Sequence, residues 1–261
     1  MVRTTNRPTL KKPINIAILI SGTGTTMESI IKATKTGKLK GKVIVCCVIA
    51  STHAAKGIEK AKKYTIPVVV IKRSDFQKGK KGQIDFGNKL LIYLRKYKAH
   101  IITQNGWLPL TPLNVVEAYK GKLFNQHPGP LDPNNVDVSG NPLHFGGPGM
   151  YGKAVHRAVL EFNKRIKRPF KTEATIHYVS GIFDTGQVVF RREIEVKDDD
   201  TVETLSQRVL PIEHALFTNF LEQLYRKSIN TLKRTSNLVK KGEENNFYNS
   251  LKIARKNYPN G

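Results

Sequence analysis

Apolar runs and amphipathic segments alternate along the first half of the chain. Residues 14–20 form a continuous apolar and β-branched run, which is typical of a strand buried on both faces of a sheet. Residues 25–37 then place apolar side chains at helical spacing and end at a glycine. The alternation continues through predicted strands at 42–51, 66–72, 99–105 and 122–127 and predicted helices at 54–65 and 82–98. It predicts an α/β fold with a doubly wound, mostly parallel sheet and helices on both faces.

The second half of the chain has a different pattern. Residues 128–152 are dense in Pro, Gly and Asn, so we predict a long loop there, and loops of this length usually serve function. The remaining predicted elements are a helix at 153–166, an antiparallel hairpin of 173–180 and 186–196, and a long helix at 201–226 that is interrupted or bent near Pro211. The C-terminal half is therefore expected to add an antiparallel hairpin to the sheet.

The distribution of apolar residues divides the chain into three parts. A basic N-terminal extension covers residues 1–13, one folded domain covers 14–227, and a basic C-terminal extension covers 228–261. The apolar periodicity is thinner in the last part. We therefore expect the C-terminal extension to be loosely attached to the domain.

Composition excludes several classes of protein. The chain is 39% hydrophobic and 25% charged, which is ordinary for a globular protein. No apolar stretch approaches the roughly 20 residues that a membrane-spanning helix needs, and the N-terminus lacks the apolar core of a secretory signal. Cys46 and Cys47 are the only cysteines and lie in a predicted buried strand. We expect neither a disulfide nor a metal site from them, and we favour a cytoplasmic setting.

The net charge of +24 favours anionic partners, such as phosphorylated substrates, polyglutamyl cofactors or nucleic acid. The lysines are scattered, and no aromatic residues interleave with them as a base-stacking surface requires. The interpretation that we favour is a solvated basic surface. Nucleic-acid binding stays open as an alternative.

The first candidate site is the segment SGTGTT at 21–26, between the first predicted strand and helix. Its glycines let the backbone turn tightly, and the N-terminus of the following helix presents unpaired N–H groups to a phosphate. The dinucleotide fingerprint GxGxxG would need a glycine where Met27 stands, and a plain βα turn is the alternative. The candidate phosphate ligands are Ser21, Gly22, Thr23, Gly24 and Thr25.

Three further segments contain candidate chemistry. Asn125 and His127 are two apart at the end of a predicted strand, so they share a face and together suit negative charge on a carbonyl oxygen. Asp184 lies in a glycine-flanked turn, where it would orient His127 or serve the turn alone. Glu213, with His214 beside it, would accept sugar hydroxyls or be a solvated helix residue.

The ordered set of these motifs resembles the phosphoribosylglycinamide (GAR) formyltransferase family. The similarity covers about 14–224, with "NIAILISGTGTTMESII" like the family's opening strand, loop and helix. "NQHP" is similar to its Asn-x-His-Pro motif, "FDTGQVV" to its Leu-Asp-x-Gly loop, and "RVLPIEHALF" to its Gln-Glu-His-Ala helix. The resemblance implies a Rossmann-like formyltransferase domain over 14–227.

The resemblance also implies a reaction and a role for each site residue. Formyl would pass from the co-substrate 10-formyltetrahydrofolate to the primary amine of GAR through a tetrahedral intermediate, without a metal. Asn125 and His127 would stabilise the oxyanion, Asp184 would orient His127 and relay the proton, and Glu213 would hold the ribose hydroxyls. The implied folate-binding residues are Gly106, Trp107, Leu108, Leu110, Gly181, Ile182 and Phe183.

Two departures from the family pattern leave the acceptor open. "GPLDP" follows the histidine motif where relatives have Ser-x-Leu-Pro, and "GWLP" replaces Gly-Phe-Met-Arg, so an arginine near the folate is absent. The alternatives are a formyltransferase for an amino-sugar nucleotide or another phosphorylated amine and, in a different class, a non-catalytic nucleic-acid-binding protein. The hydrolase and transfer-RNA branches normally carry an additional domain for which this chain has too few residues. The oligomeric state is left open.

Overall fold

A seven-stranded sheet forms the centre of the computed structural model, which describes residues 12–226 and 229–259. Its strands are β1 Ile14–Ile20, β2 Val43–Ala50, β3 Val68–Val70, β4 Ile101–Gln104, β5 Leu123–His127, β6 Lys171–Tyr178 and β7 Val188–Glu195. The α-helices are α1 Thr25–Lys35, α2 Gly57–Lys63, α3 Gly79–Lys96, α4 Leu113–Ala118, α5 Lys153–Arg165, α6 Val202–Arg226 and α7 Glu244–Asn257. A short 3₁₀ turn covers Arg73–Asp75.

The strand order is β3-β2-β1-β4-β5-β6-β7. The pairs from β3 to β5 are parallel, whereas β6 runs antiparallel to both β5 and β7. This confirms the predicted mostly parallel sheet with an antiparallel hairpin in the C-terminal half. The order reverses at β1, and the carboxyl ends of β1 and β4 therefore open the crevice in which such sheets bind ligands.

Each face of the sheet is covered by its own apolar cluster. Ile16, Ile18 and Ile20 of β1 face one cluster, and Ala17 and Leu19 face the other. All five are fully buried, which explains why β1 is a continuous apolar run. Burial of each large aliphatic side chain contributes about 1.5–3 kcal/mol, so these strands form a rigid support for the loops at their ends.

One helical prediction needs correction, and one helix was missed. Pro211 does not interrupt the last long helix, because α6 runs continuously from Val202 to Arg226 with the proline inside it. The helix α4 was not predicted, since Leu113–Ala118 is too short to show a helical period in the sequence.

The expectation that the C-terminal extension is loosely attached is wrong for its described residues. Phe247, Leu251 and Ala254 of α7 are buried, and α7 packs against α5. These residues are four and three positions apart, which is one face of a helix. The division into a domain and two extensions stays an expectation, and residues 1–11 of the N-terminal extension lie outside the described residues.

No helix in the described part of the chain is long and apolar enough to cross a membrane.

Candidate active site

The structure brings together the three residues that the sequence proposes as catalytic. The amide Nδ2 of Asn125 donates to Oδ1 of Asp184 at 3.2 Å, and Nδ1 of His127 lies 3.7 Å from Oδ2 of the same carboxylate. Asn125 and His127 are side by side on β5, two residues apart, while Asp184 arrives on the turn between β6 and β7. Because β6 pairs with β5, that turn folds back over the end of β5.

The turn that contains Asp184 requires backbone conformations and spacing that few residue types can adopt. Asp184 has φ +56°, a left-handed conformation that Asp and Asn tolerate better than most residues. A Cβ at Gly186 would meet the carbonyl oxygen of Tyr178 at 1.7 Å, so only glycine fits there. Residues of the 128–152 loop close the other side, where the backbone N–H of Gly147 donates to Oδ2 of Asp184 at 2.9 Å.

A second histidine, His177, belongs to the cluster and was not predicted. Its Nδ1 donates to the carbonyl oxygen of Tyr178 at 2.8 Å, so its Nε2 accepts from Nδ2 of Asn125 at 3.1 Å. Nε2 also lies 3.4 Å from Oδ1 of Asp184. His177 pairs directly with Asn125 in the β5–β6 register, and this pairing becomes visible only once the strands are aligned. Both N–H groups of the Asn125 amide are thus engaged by protein partners.

The electrostatics of the cluster favour a neutral His127 beside an ionised Asp184. Burial lowers the pKa of His127, and this outweighs the attraction to Asp184 that would raise it. Burial by itself would raise the pKa of Asp184, but the neighbouring His127 and His177 rings and the hydrogen bond from Gly147 hold it below its ordinary value. Nε2 of His127 donates to the carbonyl oxygen of Phe145 at 2.9 Å. The neutral ring therefore presents the lone pair of Nδ1 to the carboxylate.

Glu213 is held on the opposite side of β5 by Gln126. Nε2 of Gln126 donates to Oε1 of Glu213 at 2.5 Å and to Oγ1 of Thr26 at 3.2 Å, and its Oε1 accepts from Asn105 at 3.0 Å. Burial raises the pKa of Glu213 to about 7, with the Gln126 hydrogen bond acting in the opposite direction. Gln126 was not singled out in the sequence. It points away from Asn125 and His127, as strand alternation requires.

Glu213 and the predicted phosphate loop line one cavity of 480 Å³. Gly24 has φ +64°, and a Cβ there would meet Cα of Gly57 at 2.8 Å, so a glycine is required at the start of α1. The first N–H groups of α1 have no partner within the helix and are available to an anion. His156 also lines this cavity, and its buried Nδ1 has no hydrogen-bond partner.

Ser21 is engaged differently from the other residues of this loop. Its hydroxyl accepts from the backbone N–H of Leu108 at 2.9 Å and from the hydroxyl of Ser51 at 2.7 Å. Its backbone N–H donates to the carbonyl of Gly106 at 2.7 Å. Ser21 thus joins the loop after β1 to the loop after β4. A role as a phosphate ligand stays a prediction for Ser21 and for residues 22–25.

The predicted folate-side residues line a second cavity, next to Asp184. Leu108 and Ile182 are exposed there, at 46% and 66%, whereas Trp107 is only 7% exposed. The Trp107 ring is stacked on Phe86 in the core, and its indole N–H is buried without a partner. Gly106, Trp107, Leu108, Leu110, Ile182 and Phe183 line the cavity, and Gly181 packs against Leu113 instead.

The two cavities adjoin next to the cluster. They share Gly106, Leu108, Gln126 and Tyr151, while Asn125, His127 and Asp184 line the second. Among residues 12–226 and 229–259, no group of three or more His, Cys, Asp or Glu side chains is arranged to hold a metal ion. Fold and site together define a Rossmann-like α/β protein with a two-cavity ligand site at the carboxyl edge of its sheet.

Comparison with known proteins gives the family. A sequence model described as formyl transferase matches residues 14–221, and the chain belongs to the formyl transferase family. Phosphoribosylglycinamide formyltransferase, chloroplastic, of Vigna unguiculata is 31% identical over 214 residues, which are 82% of this chain and 62% of that protein. The protein of the same name from Arabidopsis thaliana is 31% identical over 216 residues, 82% of this chain and 66% of that protein. The chain therefore spans less than two thirds of the length of these two relatives.

A solved structure extends the similarity to the fold. Phosphoribosylglycinamide formyltransferase from Brucella melitensis superposes with a TM-score of 0.65 at 26% identity, over 85% of this chain and 100% of that one. This confirms the prediction of the family and of a formyltransferase-type Rossmann-like fold.

Proposed function

We propose that this protein transfers a formyl group from 10-formyltetrahydrofolate to the primary amine of glycinamide ribonucleotide. The observation that carries the proposal is that the two cavities adjoin, sharing Gly106, Leu108, Gln126 and Tyr151, while Asn125, His127 and Asp184 line the second cavity, because a transfer reaction needs its two substrates to touch at one point. The names of the plant and bacterial relatives support the same activity. Cys46 and Cys47 are both free thiols, from which we infer a cytoplasmic setting.

The second cavity suits the pteridine end of the folate. 10-Formyltetrahydrofolate supplies the formyl carbon when bound. The indole N–H of Trp107 is buried and has no hydrogen-bond acceptor in the protein. A pteridine ring carries acceptors to which it would donate. Exposed Leu108 and Ile182 offer apolar contact to the ring. Pro109 stands where the family pattern has an arginine, so the folate would be held here by apolar and backbone contacts and not by that charge.

The first cavity suits a ribose phosphate. The N-terminus of α1, reached through Gly22 and Gly24, would receive the phosphate. Glu213 would accept the ribose hydroxyls, with Gln126 fixing the orientation of its carboxylate. The loop after β5, with Tyr151, would cover the acceptor near the point where the two cavities join.

His127 is arranged to take up a proton on Nδ1. The ring is neutral, its Nε2–H is committed to Phe145, and the lone pair of Nδ1 faces an ionised Asp184 at 3.7 Å. A proton arriving at Nδ1 from the attacking amine would create an imidazolium next to the carboxylate, which stabilises it. The proton would then pass by way of Asp184 and a bridging water to the folate nitrogen, which leaves as tetrahydrofolate when its bond to the formyl carbon breaks.

Asn125 needs a rearrangement to serve as the oxyanion donor. One of its N–H groups donates to Asp184 and the other to His177. The bond to neutral His177 is the weaker of the two, because a carboxylate is the stronger acceptor. We infer that the substrate carbonyl replaces His177 as the acceptor, and one such donor lowers the barrier by about 2.7–4 kcal/mol.

An acceptor screen tests the proposal. The purified chain is incubated with 10-formyltetrahydrofolate and, in separate reactions, with glycinamide ribonucleotide, an amino-sugar nucleotide, or water alone. We expect formyl transfer to glycinamide ribonucleotide in the wild type and its loss in His127→Ala. Transfer only to the amino-sugar nucleotide, or hydrolysis without an acceptor, would contradict the assignment.

A further inference from the structure

The C-terminal segment, residues 229–259, is bonded to the 128–152 loop along most of its length. Arg234 donates to the carbonyl oxygen of Leu131 at 3.0 Å, and the backbone N–H of Leu238 donates to Asp132 at 3.0 Å. Further along, Nδ2 of Asn135 donates to the carbonyl oxygen of Val239 at 3.0 Å. These bonds fasten the segment to a loop that itself reaches the active site.

The loop reaches the active site at residues 145–147. The carbonyl oxygen of Phe145 accepts from Nε2 of His127, and the N–H of Gly147 donates to Asp184. Gly146 lies so close to Asp184 that a Cβ there would meet Cβ of Asp184 at 2.6 Å. Three consecutive residues thus hold both members of the His–Asp pair.

The ring of Phe145 packs against a side chain of the C-terminal segment. Phe247 of α7 meets it edge to face, with ring centroids 5.4 Å apart and planes at 85°. Phe162 and Phe170 complete the aromatic cluster around it, at 5.6 and 5.7 Å. Phe145, Phe162 and Phe247 are fully buried, so a change in one ring is transmitted to its neighbours.

We propose that the C-terminal segment is a positioning element of the active site, acting through Phe247 on Phe145 and from there on His127. Residues 229–259 lie beyond the part of the chain that the family sequence model matches, 14–221, so the family match assigns them no role. Phe247 touches no reacting group. Its role is to fix the backbone carbonyl that sets the tautomer of His127 and its distance from Asp184.

Truncation of Phe247 would act on His127 in two opposite directions. A void beneath Phe145 lets its carbonyl withdraw and admits water to the ring of His127. Burial is the largest influence on the pKa of His127 and lowers it, whereas the Phe145 hydrogen bond is the smallest and raises it. Relief of burial therefore dominates, and the pKa rises towards its ordinary value. The other titratable groups facing His127 are Asp184, His177, His144 and His156.

The test measures the titration of the His127 imidazole itself. The full chain is labelled with ¹⁵N-histidine, and the His127 signal, assigned by its loss in His127→Ala, is titrated in the wild type and in Phe247→Ala. We expect the pKa of His127 to rise towards its ordinary value and its Nε2–H tautomer to be less strongly preferred. Because the kinetic part rests on the proposed function, kcat is measured separately with glycinamide ribonucleotide, and we expect a fall of about tenfold with KM nearly unchanged.

Two further variants separate positioning from stability. Phe247→Leu keeps most of the volume but loses the aromatic contact, so it should shift both readouts in the same direction by a smaller, measurable amount; it therefore carries the test if Phe247→Ala does not fold. Leu94→Ala removes a fully buried side chain from the cluster on the other face of the sheet and should lower Tm without moving the His127 signal. An unchanged His127 titration in both Phe247 variants overturns the proposal. Absence of turnover in the wild type would overturn the proposed function instead and leave the titration to decide.

Discussion

Nδ1 of His127 and Oδ2 of Asp184 are 3.7 Å apart, although 57 positions of sequence separate the two residues. The distance is too long for a hydrogen bond, but it is short enough for Asp184 to stabilise the positive charge of the ring once Nδ1 is protonated. It leaves Nδ1 without a proton in the resting structure and ready to receive one. The chemistry that we propose depends on this geometry more than on any other in the molecule.

Removal of either partner should abolish most turnover while leaving the fold intact. Asp184→Asn keeps a residue type that tolerates φ +56° but removes the charge that stabilises a protonated His127. We expect kcat to fall by roughly 10²–10⁴-fold in this variant and in His127→Ala. The measurement is formyl transfer, with circular dichroism as the control for folding. A folded variant with a rate near that of the wild type would show that the site is wrongly assigned.

Binding of the acceptor should depend on pH through Glu213. Its pKa is raised to about 7, so the carboxylate that accepts hydroxyl groups forms only as pH rises through that value. We expect KM for the acceptor to increase about tenfold for each pH unit below about 7, and to level off above it. Glu213→Gln should have a higher KM at pH 8 and a flat profile between pH 6 and 8. A wild-type profile that is already flat would argue against this role.

The raised pKa of Glu213 should also make the stability of the folded protein depend on pH. The carboxyl ionises near 4.5 in the unfolded chain and near 7 in the folded one, so the folded state keeps its proton longer. Stability is therefore lost as pH rises from about 4.5 to 7, by about 3 kcal/mol in total. Glu213→Gln removes this loss. Its advantage over the wild type in urea unfolding should be small at pH 4.5 and large at pH 8, and a difference that does not change with pH would refute the explanation.

The sequence was sufficient for the parts of the fold that depend on local patterns. The buried run of β1, the glycine loop before α1 and the alternation around Asp184 each predict an element that the structure contains. What could not be predicted depends on pairing between distant segments. His177 enters the cluster because β6 pairs with β5 in one particular register. The alternation of apolar and polar residues around His177 does not by itself show whether this histidine lies beside the candidate site or in the core.

The packing of the C-terminal segment could not be predicted from the sequence either, for a different reason. Apolar residues are sparse in it, and the three that are buried on α7 are separated by mostly polar positions. Their burial depends on α5 offering a complementary face, which no local pattern of α7 reveals. The buried triad of Arg234, Glu173 and Asp132 is equally invisible, because each member lies on a different element.

Gly146 should accept no side chain. A Cβ there would lie 2.6 Å from Cβ of Asp184 and 2.8 Å from Cδ2 of Leu131, so the loop would have to move away from the carboxylate of Asp184. We expect Gly146→Ala to destabilise the protein by about 1–3 kcal/mol and to lower turnover as well. Gly22→Ala is the matched control, since nothing lies within 4 Å of the corresponding Cβ. Thermal unfolding compares the two, and equal stability would contradict the close packing seen around Asp184.

Arg234 should contribute far more to stability than an exposed ion pair does. Its guanidinium donates to Glu173 at 2.5 Å, and Glu173 is only 2% exposed. Arg234→Gln leaves that carboxylate buried without its partner, and we expect a loss of about 3 kcal/mol in urea unfolding at pH 7. The double variant with Glu173→Gln should recover part of it, since position 173 no longer carries an unpaired charge. Lys171→Gln, which breaks the exposed pair with Glu193, should cost less than about 1 kcal/mol. If Arg234→Gln and Lys171→Gln lose the same stability, the ion pair between Arg234 and Glu173 is not what fastens the C-terminal segment.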